Sequence, residues 1–264
     1  MKKKIRVLVT GIGSGVGQSI YKSLLLSKLN LEIYIGDIDF LNVGVCLSKN
    51  YIKLPLVEKK GSLNKITQIL KINKIDVLFI GSELDILFFS KFKEFIYEKT
   101  KTIVSLSNQN IISMYSDKYE FIKILKKNRI ACPKTFEANK KNINNKKLIF
   151  PLILKDKTGT SSKNVFIINN LKELKLIVNL LDNPIIQEYL GSNKDKLNEY
   201  TCSFFKTREK KIIGPFLGKR NIKFGTSWIF ENIFNKDLKS VIMKISKIDE
   251  FEGSINIQLK YHNG

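Results

Sequence analysis

The stretch Phe150-Pro151-Leu152-Ile153-Leu154-Lys155 is an apolar run that ends in a single lysine. Its length and apolar content predict a β-strand, and residues 164–168 predict a second strand after a polar turn that contains glycine. Lys155 stands at the end of an otherwise apolar strand. This position argues against one more surface lysine and marks Lys155 as a candidate functional residue.

Upstream of this stretch, strand and helix patterns alternate. Predicted strands cover residues 5–10, 32–37, 51–54, 77–80 and 102–106, and predicted helices cover residues 18–29, 64–72 and 85–97. Strands separated by helices of this length need right-handed crossovers and form a mainly parallel sheet. We therefore expect an α/β fold with a Rossmann-like domain over residues 1–112.

The pattern changes near Ser116, which we expect to cap a helix that runs to about residue 127. A polar segment at 139–147 has no structure signal and is interpreted as a surface loop. Residues 171–181 predict a helix, and the remainder predicts mostly strand. These patterns place a domain boundary near residue 112 and a second domain at residues 113–264.

The composition narrows the function classes. The chain has 264 residues and no apolar run long enough for a membrane-spanning helix. Its cysteines, Cys46, Cys132 and Cys202, form no paired metal-ligand pattern, which favours a reducing cytoplasm. The net charge is +22, but the lysines are spread along the whole chain among many asparagines and isoleucines. We therefore expect no membrane partner and no specific nucleic acid, since no nucleic-acid-reading motif is present.

A glycine-rich turn, residues 10–17, follows the first predicted strand. Glycines permit a tight turn there, and the next helix would offer N–H groups to an anion. Asp37 ends the second strand, where a ribose-binding acid would lie. The pattern resembles short-chain dehydrogenases, and Tyr97 and Lys101 match their Tyr-x-x-x-Lys spacing, with Ser82 a poor third member. An NAD(P)-dependent reductase is therefore one alternative.

From Ser116 onward the chain resembles the ATP-grasp superfamily, specifically proteins similar to one synthetase half of the carbamoyl-phosphate synthase large subunit. Asp117-Lys118 and Ile130-Ala131-Cys132-Pro133 look like that family's opening helix and its Gly-Ile-Pro-x-Pro turn. Residues 150–155 look like its Pro-apolar-apolar-apolar-Lys strand. Such proteins also begin with a Rossmann-like domain, so the resemblance covers nearly the whole chain.

The resemblance implies that residues 113–264 form a two-lobed α+β domain, with lobes at 113–183 and 184–264, and that this domain contains an ATP site. The strand lysine would reach the nucleotide phosphates, and the loop at 156–164 would fold over them. Residues 184–190 look like the hinge strand whose backbone binds the adenine edge, with nearby acids holding the ribose. The cofactor-binding residues expected on this basis are Lys118, Lys155, Gly159, Ser161, Ser162, Gln187, Glu188, Tyr189, Leu190 and Glu199.

Two further residues follow from the resemblance. Arg220 falls where similar proteins place a cation that faces the transferred phosphoryl group, so we assign it a catalytic role. Residues 253–258 resemble the Gly-x-x-Asn-Val-Gln strand whose glutamine helps to bind magnesium, which makes Gln258 a metal ligand. The family's returning Glu-x-Asn-Pro-Arg strand does not follow Asn263-Gly264, a hairpin-turn signal. We therefore expect an incomplete second lobe and a fragment or prematurely terminated product.

The complete form is expected to be a cytoplasmic ligase that uses ATP and Mg²⁺. It would convert a carboxylate to an acyl phosphate, and an amine would then form the C–N bond; neither substrate is identified, and a homo-oligomer is one expectation. The sequence is also compatible with a non-catalytic nucleotide-binding protein. Besides the reductase and the non-catalytic protein, a third alternative is a basic nucleic-acid binder, whose affinity would fall steeply with salt.

Overall fold

The computed structural model describes residues 4–145, 147–159, 164–191, 199–223, 226–248 and 251–260. The chain divides into two compact units, Met1–Ile112 and Ser113–Gly264, which we call unit 1 and unit 2. Among the described residues, no helix is both long enough and apolar enough to cross a membrane.

Unit 1 is built on a five-stranded parallel sheet, which confirms the predicted fold class. Its strands and helices are β1 (Ile5–Val9), α1 (Gly15–Leu25), β2 (Leu31–Asp37), β3 (Tyr51–Lys53), α2 (Ser62–Ile72), β4 (Val77–Phe79), α3 (Ile86–Thr100) and β5 (Ile103–Val104), with 3₁₀ turns at Val43–Leu47 and Glu83–Asp85. The sheet order is β3-β2-β1-β4-β5, and each neighbouring pair is parallel. β1 occupies the middle because its side chains are buried on both faces.

The glycine turn brings the end of β1 directly into α1. Gly11 adopts a φ of +58°, a conformation that side chains rarely adopt. Ser14 caps α1, since its Oγ accepts the Gly17 N–H at 3.0 Å. A Cβ on Gly17 would lie 2.3 Å from the Gly11 carbonyl oxygen, so only glycine allows the helix to pack this closely on the turn.

Unit 2 contains two antiparallel sheets. Helix α4 (Gln109–Ser116) spans the division between the units, and the elements after it are α5 (Lys118–Lys127), β6 (Thr135–Glu137), α6 (Lys140–Ile143), β7 (Leu152–Asp156), β8 (Val165–Ile168), α7 (Leu171–Ile177), a 3₁₀ turn (Val178–Leu180), β9 (Pro184–Glu188), β10 (Glu199–Lys206), β11 (Ile212–Lys223), β12 (Thr226–Asn232), α8 (Lys236–Ser246) and β13 (Gly253–Lys260). The first sheet has the order β6-β9-β7-β8 and the second β12-β11-β10-β13. Helices α5 and α8 pack on one face of the second sheet, where Cys202 and Ile242 are fully buried.

Three expectations about unit 2 are corrected. Ser116 ends α4 instead of capping α5; Asp117 is the cap, because its carboxylate accepts the Tyr119 and Glu120 N–H groups at 2.8 and 3.1 Å. The segment expected to be mostly strand contains α8, and the expected loop at 139–147 contains the short helix α6.

The division between the two lobes also changes. Strand β9 is hydrogen-bonded to both β7 and β6. Pro184–Glu188 is therefore part of the first sheet, and the division between the two sheets of unit 2 follows Glu188 instead of preceding Pro184.

Candidate functional site

Three strands of the first sheet place polar side chains on one face. Thr135 of β6 lies directly opposite Gln187 of β9, and Lys155 of β7 lies two positions along from the residue opposite Gln187. Directly opposite and diagonal neighbours in antiparallel strands share a face and are within reach of long side chains. The opposite face carries Leu154 and Ile186, which are almost fully buried.

Hydrogen bonds connect these three polar residues. The Lys155 Nζ donates to the Gln187 Oε1 at 2.7 Å, and the Gln187 Nε2 donates to the Thr135 Oγ1 at 2.9 Å. The Thr135 hydroxyl donates in turn to the Pro133 carbonyl at 2.9 Å. The direction of these bonds fixes the Gln187 amide with its oxygen toward the lysine. We call Thr135, Gln187, Lys155 and the neighbouring Lys118 the lysine cluster.

Lys118 connects the start of α5 to the loop after β7. Its Nζ lies 2.9 Å from the Gly159 carbonyl oxygen and 3.4 Å from that of Lys157, and its backbone N–H donates to Lys157 at 2.8 Å. Burial, followed by the positive charge of Lys118, lowers the pKa of Lys155 from 10.5 to about 8. The fold therefore holds two cations close enough to repel each other.

No carboxylate compensates the Lys155 charge within salt-bridge distance in the part of the chain that the structure describes. Its described partner is a neutral amide oxygen. A buried cation whose charge is not compensated stabilises an anion that binds beside it. The lysine cluster therefore has the electrostatics of a phosphate site.

The residues after β9 lead from the first sheet toward the second. Glu188 bonds twice to Lys134, because its N–H donates to the Lys134 carbonyl at 2.8 Å and its carboxylate accepts the Lys134 N–H at 3.0 Å. Tyr189 and Leu190 are half-buried. Glu188 thus fastens β9 to the segment before β6, a structural contact that uses the carboxylate expected for ribose.

One face of the second sheet carries the other expected residues. Glu199 of β10 lies opposite Arg220 of β11 and Lys260 of β13, so all three share a face. The Glu199 carboxylate lies 3.8 Å from the Arg220 guanidinium and 3.5 Å from the Lys260 Nζ. The Lys260 Nζ also lies 5.9 Å from the ring centre of Tyr189. The acid expected to hold ribose is therefore in contact with two cations.

Arg220 has an unused donor. Its Nε is buried and has no hydrogen-bond partner among the residues that the structure describes. A buried donor of this kind costs free energy until a ligand satisfies it. Gln258 lies opposite Thr201 on the same face, and its side chain is exposed.

The structure therefore brings the expected residues into two groups within unit 2. Lys118, Lys155, Gly159 and Gln187 form one group near the end of β7, and Tyr189, Glu199 and Arg220 lie near Lys260. Ser161 and Ser162 lie outside the described residues, as does the Asn263-Gly264 turn.

The sequence interpretation missed Thr135 and Lys260. Strand register places Thr135 opposite Gln187 and Lys260 opposite Glu199. The sequence pattern alone does not reveal these pairings.

The residues proposed for a reductase do not converge. Tyr97 is 46% exposed near the end of α3, where Lys101 lies over its ring at 5.4 Å. Ser82 lines a cavity at the opposite end of α3. A separation of eight residues between Tyr97 and Phe89, the last cavity-lining residue of that helix, corresponds to about 12 Å along its axis. Tyr97 and Lys101 therefore do not form a site together with Ser82 in this cavity.

Comparison with protein families found a match for part of unit 2. A family model described as an ATP-grasp domain matches residues 115–208. That segment contains the whole lysine cluster together with Tyr189 and Glu199. A search among curated proteins found no match.

Solved structures resemble nearly the whole chain. N5-carboxyaminoimidazole synthetase from Staphylococcus aureus, complexed with ADP, has a TM-score of 0.68 at 16% identity, over 98% of this chain and 66% of that one. L-amino acid ligase from Bacillus licheniformis has a TM-score of 0.66 at 14% identity, over 98% of this chain and 63% of that one. The biotin carboxylase domain of Hydrogenobacter thermophilus 2-oxoglutarate carboxylase, in complex with MgADP, ADP and bicarbonate, has a TM-score of 0.70 at 13% identity, over 97% of this chain and 60% of that one.

At these identities the likeness establishes the fold, and the chain spans about two thirds or less of the length of each of these proteins. Residues 115–208 therefore form an ATP-grasp domain, and the chain has the fold of these three proteins.

Proposed function

We propose that unit 2 binds ATP and that the protein uses it to join a carboxylate to an amine through an acyl phosphate. The lysine cluster carries the proposal. Lys155 is held as a largely buried cation beside Lys118, and its described partner is an amide oxygen. Triphosphate oxygens would supply the negative charge that the described partner of Lys155 does not provide.

The remaining contacts of the nucleotide follow from the positions of the expected residues. Lys155 and Lys118 bind phosphate oxygens, and Gly159 lies beside Lys118. The backbone of Tyr189 and Leu190, which continues β9, offers donors and acceptors to the adenine edge. Glu199 binds ribose in this proposal, which requires its contacts with Arg220 and Lys260 to loosen.

Mg²⁺ enters with the nucleotide in this proposal. No group of three or more His, Cys, Asp or Glu side chains able to hold a metal ion occurs among the described residues. Gln258 offers one neutral oxygen on the face that carries Arg220, and magnesium in nucleotide sites is bound largely through phosphates and waters. The ion would reduce the negative charge of the phosphates, with Gln258 as its ligand from the described residues.

The proposed reaction has two steps. A carboxylate oxygen of the first substrate forms a bond to the γ-phosphorus, and the bond from that phosphorus to ADP breaks. The amine nitrogen then attacks the carbonyl carbon, inorganic phosphate leaves, and the nitrogen loses a proton. Arg220 faces the transferred phosphoryl group in both steps, where its planar guanidinium pairs with two oxygens at once. Catalysis of this kind is positioning plus electrostatic stabilisation.

The proposed binding is tested by thermal unfolding with ATP plus Mg²⁺, ATP plus EDTA, NAD and NADP. A ligand at one hundred times its dissociation constant adds about 2.7 kcal/mol, which is several degrees for a chain of this size. We expect ATP to raise Tm, Lys155→Ala to remove most of that shift, and the exposed-site control Lys175→Ala to retain it. A shift with NAD or NADP alone, unchanged by Lys155→Ala, would favour the reductase.

The ligase step is tested with hydroxylamine as a general amine. Hydroxylamine captures acyl phosphates as hydroxamates, so a panel of carboxylic acids can be screened with ATP before the natural amine is identified. Hydroxamate formation that depends on ATP supports the proposal. ATP binding without any hydroxamate favours a non-catalytic nucleotide-binding protein.

The proposal also includes the narrower resemblance to the carbamoyl-phosphate synthase large subunit, a cytoplasmic location and a homo-oligomeric state. Size-exclusion chromatography coupled to light scattering measures the last of these directly.

A further inference from the structure

Unit 1 contains a cavity that the proposed ATP site does not use. It encloses about 400 Å³ at the carboxyl ends of β1, β2, β3 and β4, where the segments that follow these strands meet. The sheet order places β2 and β3 on one side of β1 and β4 and β5 on the other, so the strand order reverses at β1. Crevices at such a switch point are the usual ligand positions of parallel α/β sheets.

The wall of this cavity is acidic. Asp37, Asp39, Glu58 and Asp85 line it, and its lining includes no lysine or arginine. The whole chain carries 46 lysines and arginines against 24 acids, so this wall has the opposite sign to the protein as a whole. Burial raises the pKa of Asp85, a hydrogen bond from Ser82 lowers it, and repulsion from Asp37 and Glu58 raises it further. None of these four acids has a salt-bridge partner among the described residues, so negative charge faces the cavity.

The glycine turn on this wall is already occupied by a carboxylate of the chain. Asp37 accepts the Gly13 N–H at 2.8 Å through one oxygen and the Ile38 N–H at 2.8 Å through the other. The Ser14 Oγ accepts the Gly17 N–H. A pyrophosphate would meet these filled donors and the acids beside them. The cavity therefore disfavours the dinucleotide that the glycine pattern alone indicates, and Asp37 is not free for a ribose.

A single metal ion is also a poor fit. No three of the described acids are close enough together to hold one ion. The acids are instead distributed around a floor of buried apolar side chains: Leu54, Ile66 and Phe89 are 8%, 2% and 2% exposed. Separated charges above an apolar floor match a ligand that has both a cationic group and a carbon skeleton.

We propose that this cavity binds a small organic amine in its protonated form, with the ammonium group beside Asp85 and Glu58 and the carbon skeleton on Leu54, Ile66 and Phe89. Nothing in the ATP site is needed for this binding, so the two proposals succeed or fail separately. A general attraction of cations to the surface does not account for such binding, because the net charge of +22 repels them.

The test is isothermal titration of the full chain, without nucleotide, with propylamine, phenethylamine and 1,5-diaminopentane. The neutral 1,5-pentanediol, the anionic glutarate, MgCl₂ and NAD serve as comparison ligands. We expect at least one amine to bind and none of the comparison ligands to do so. Asp85→Asn and Glu58→Gln each weaken that binding about fivefold or more. The control Glu94→Gln, which removes an exposed charge of α3 outside the cavity, leaves the amine affinity unchanged.

Several results would overturn the proposal. These are no binding of any amine, equal weakening by Glu94→Gln, or binding of glutarate or NAD at the same site. Circular dichroism of each variant verifies folding, and the second cavity variant keeps the test decisive if one of them unfolds. A Tm shift with ATP in the same preparations shows independently whether unit 2 is intact.

Discussion

The Nζ of Lys155 donates a 2.7 Å hydrogen bond to the Oε1 of Gln187, which joins β7 to β9 inside the ATP-grasp domain. An amide oxygen orients the lysine without cancelling its charge. The ammonium group is therefore positioned for a second, anionic partner, and the Thr135 hydroxyl holds the amide in the orientation that makes this possible.

The pH dependence of ATP binding follows from the lysine cluster. The pKa of Lys155 is about 8 in the ligand-free protein, and bound phosphates will raise it because they favour the cation. Below pH 8 the lysine is already protonated. Above pH 8 ATP binding must take up a proton, so affinity declines by up to about tenfold per pH unit.

Calorimetric titration in buffers of different ionisation enthalpy measures both the affinity and the proton uptake. The titrations should run between about pH 7.5 and 9.5, so that they bracket the pKa of about 8. Lys118→Met removes the neighbouring charge and should move the decline to higher pH. A decline that persists unchanged in Lys155→Met would assign it to another group.

Thr135→Val is expected to destabilise the protein. Thr135 is 2% exposed, and the change leaves both the Gln187 Nε2 and the Pro133 carbonyl without a described partner. An unsatisfied buried polar group costs about 1–3 kcal/mol. Urea unfolding should show this loss for Thr135→Val, whereas Thr135→Ser keeps the hydroxyl and should lose less. Equal stability of the two variants would mean that the hydroxyl bonds contribute nothing.

The glycine turn offers a matched pair of substitutions in unit 1. Gly17→Ala places a methyl group 2.3 Å from the Gly11 carbonyl oxygen, whereas a Cβ on Gly15 meets nothing within 4 Å. We expect Gly17→Ala to lower the free energy of unfolding by about 1–3 kcal/mol or more. Gly15→Ala should be neutral or stabilise by about 0.5–1 kcal/mol. Chemical denaturation of both variants checks the difference, and an equal loss at Gly15 would contradict the packing argument.

Arg220→Lys separates charge from geometry in the second sheet. Lysine keeps the positive charge but loses the planar fork and the buried Nε. We expect ATP affinity to change little while ATP-dependent hydroxamate formation falls by about a hundredfold, the usual effect of removing a transition-state donor. Lys219→Gln, on the opposite face of β11, serves as the control. Unchanged hydroxamate formation in Arg220→Lys would remove Arg220 from the reaction.

Much of the fold was predictable because strand signals here are local. The apolar run at 150–155 forms β7, and the alternating strands and helices of the first 106 residues form a parallel sheet. The exact helix caps were not predictable in the same way, because Ser116 and Asp117 are both good capping residues. Helix α8 was missed although Leu238, Ile242 and Ile245 have helical spacing, since its isoleucines also suit a strand.

The site was predictable residue by residue but not as an arrangement. Lys155 stands out at the end of its strand, yet its contact with Gln187, 32 residues away, arises from strand register. The same reason explains why β9 was assigned to the wrong lobe. The glycine turn left a nicotinamide site open as an alternative, because the sequence does not reveal that Asp37 folds back onto the turn.

The most direct test of the central claim is the ATP affinity of Lys155→Met measured beside that of Lys157→Met. Lys157 is two residues away, but its side chain pairs with Glu137 and lies outside the lysine cluster. The account predicts that Lys155→Met weakens ATP binding about 10- to 100-fold, the value of a hydrogen bond to a charged group, and that Lys157→Met changes it less than about twofold. Absence of ATP binding to the unmodified protein, or equal weakening in both variants, would contradict an ATP site built on Lys155.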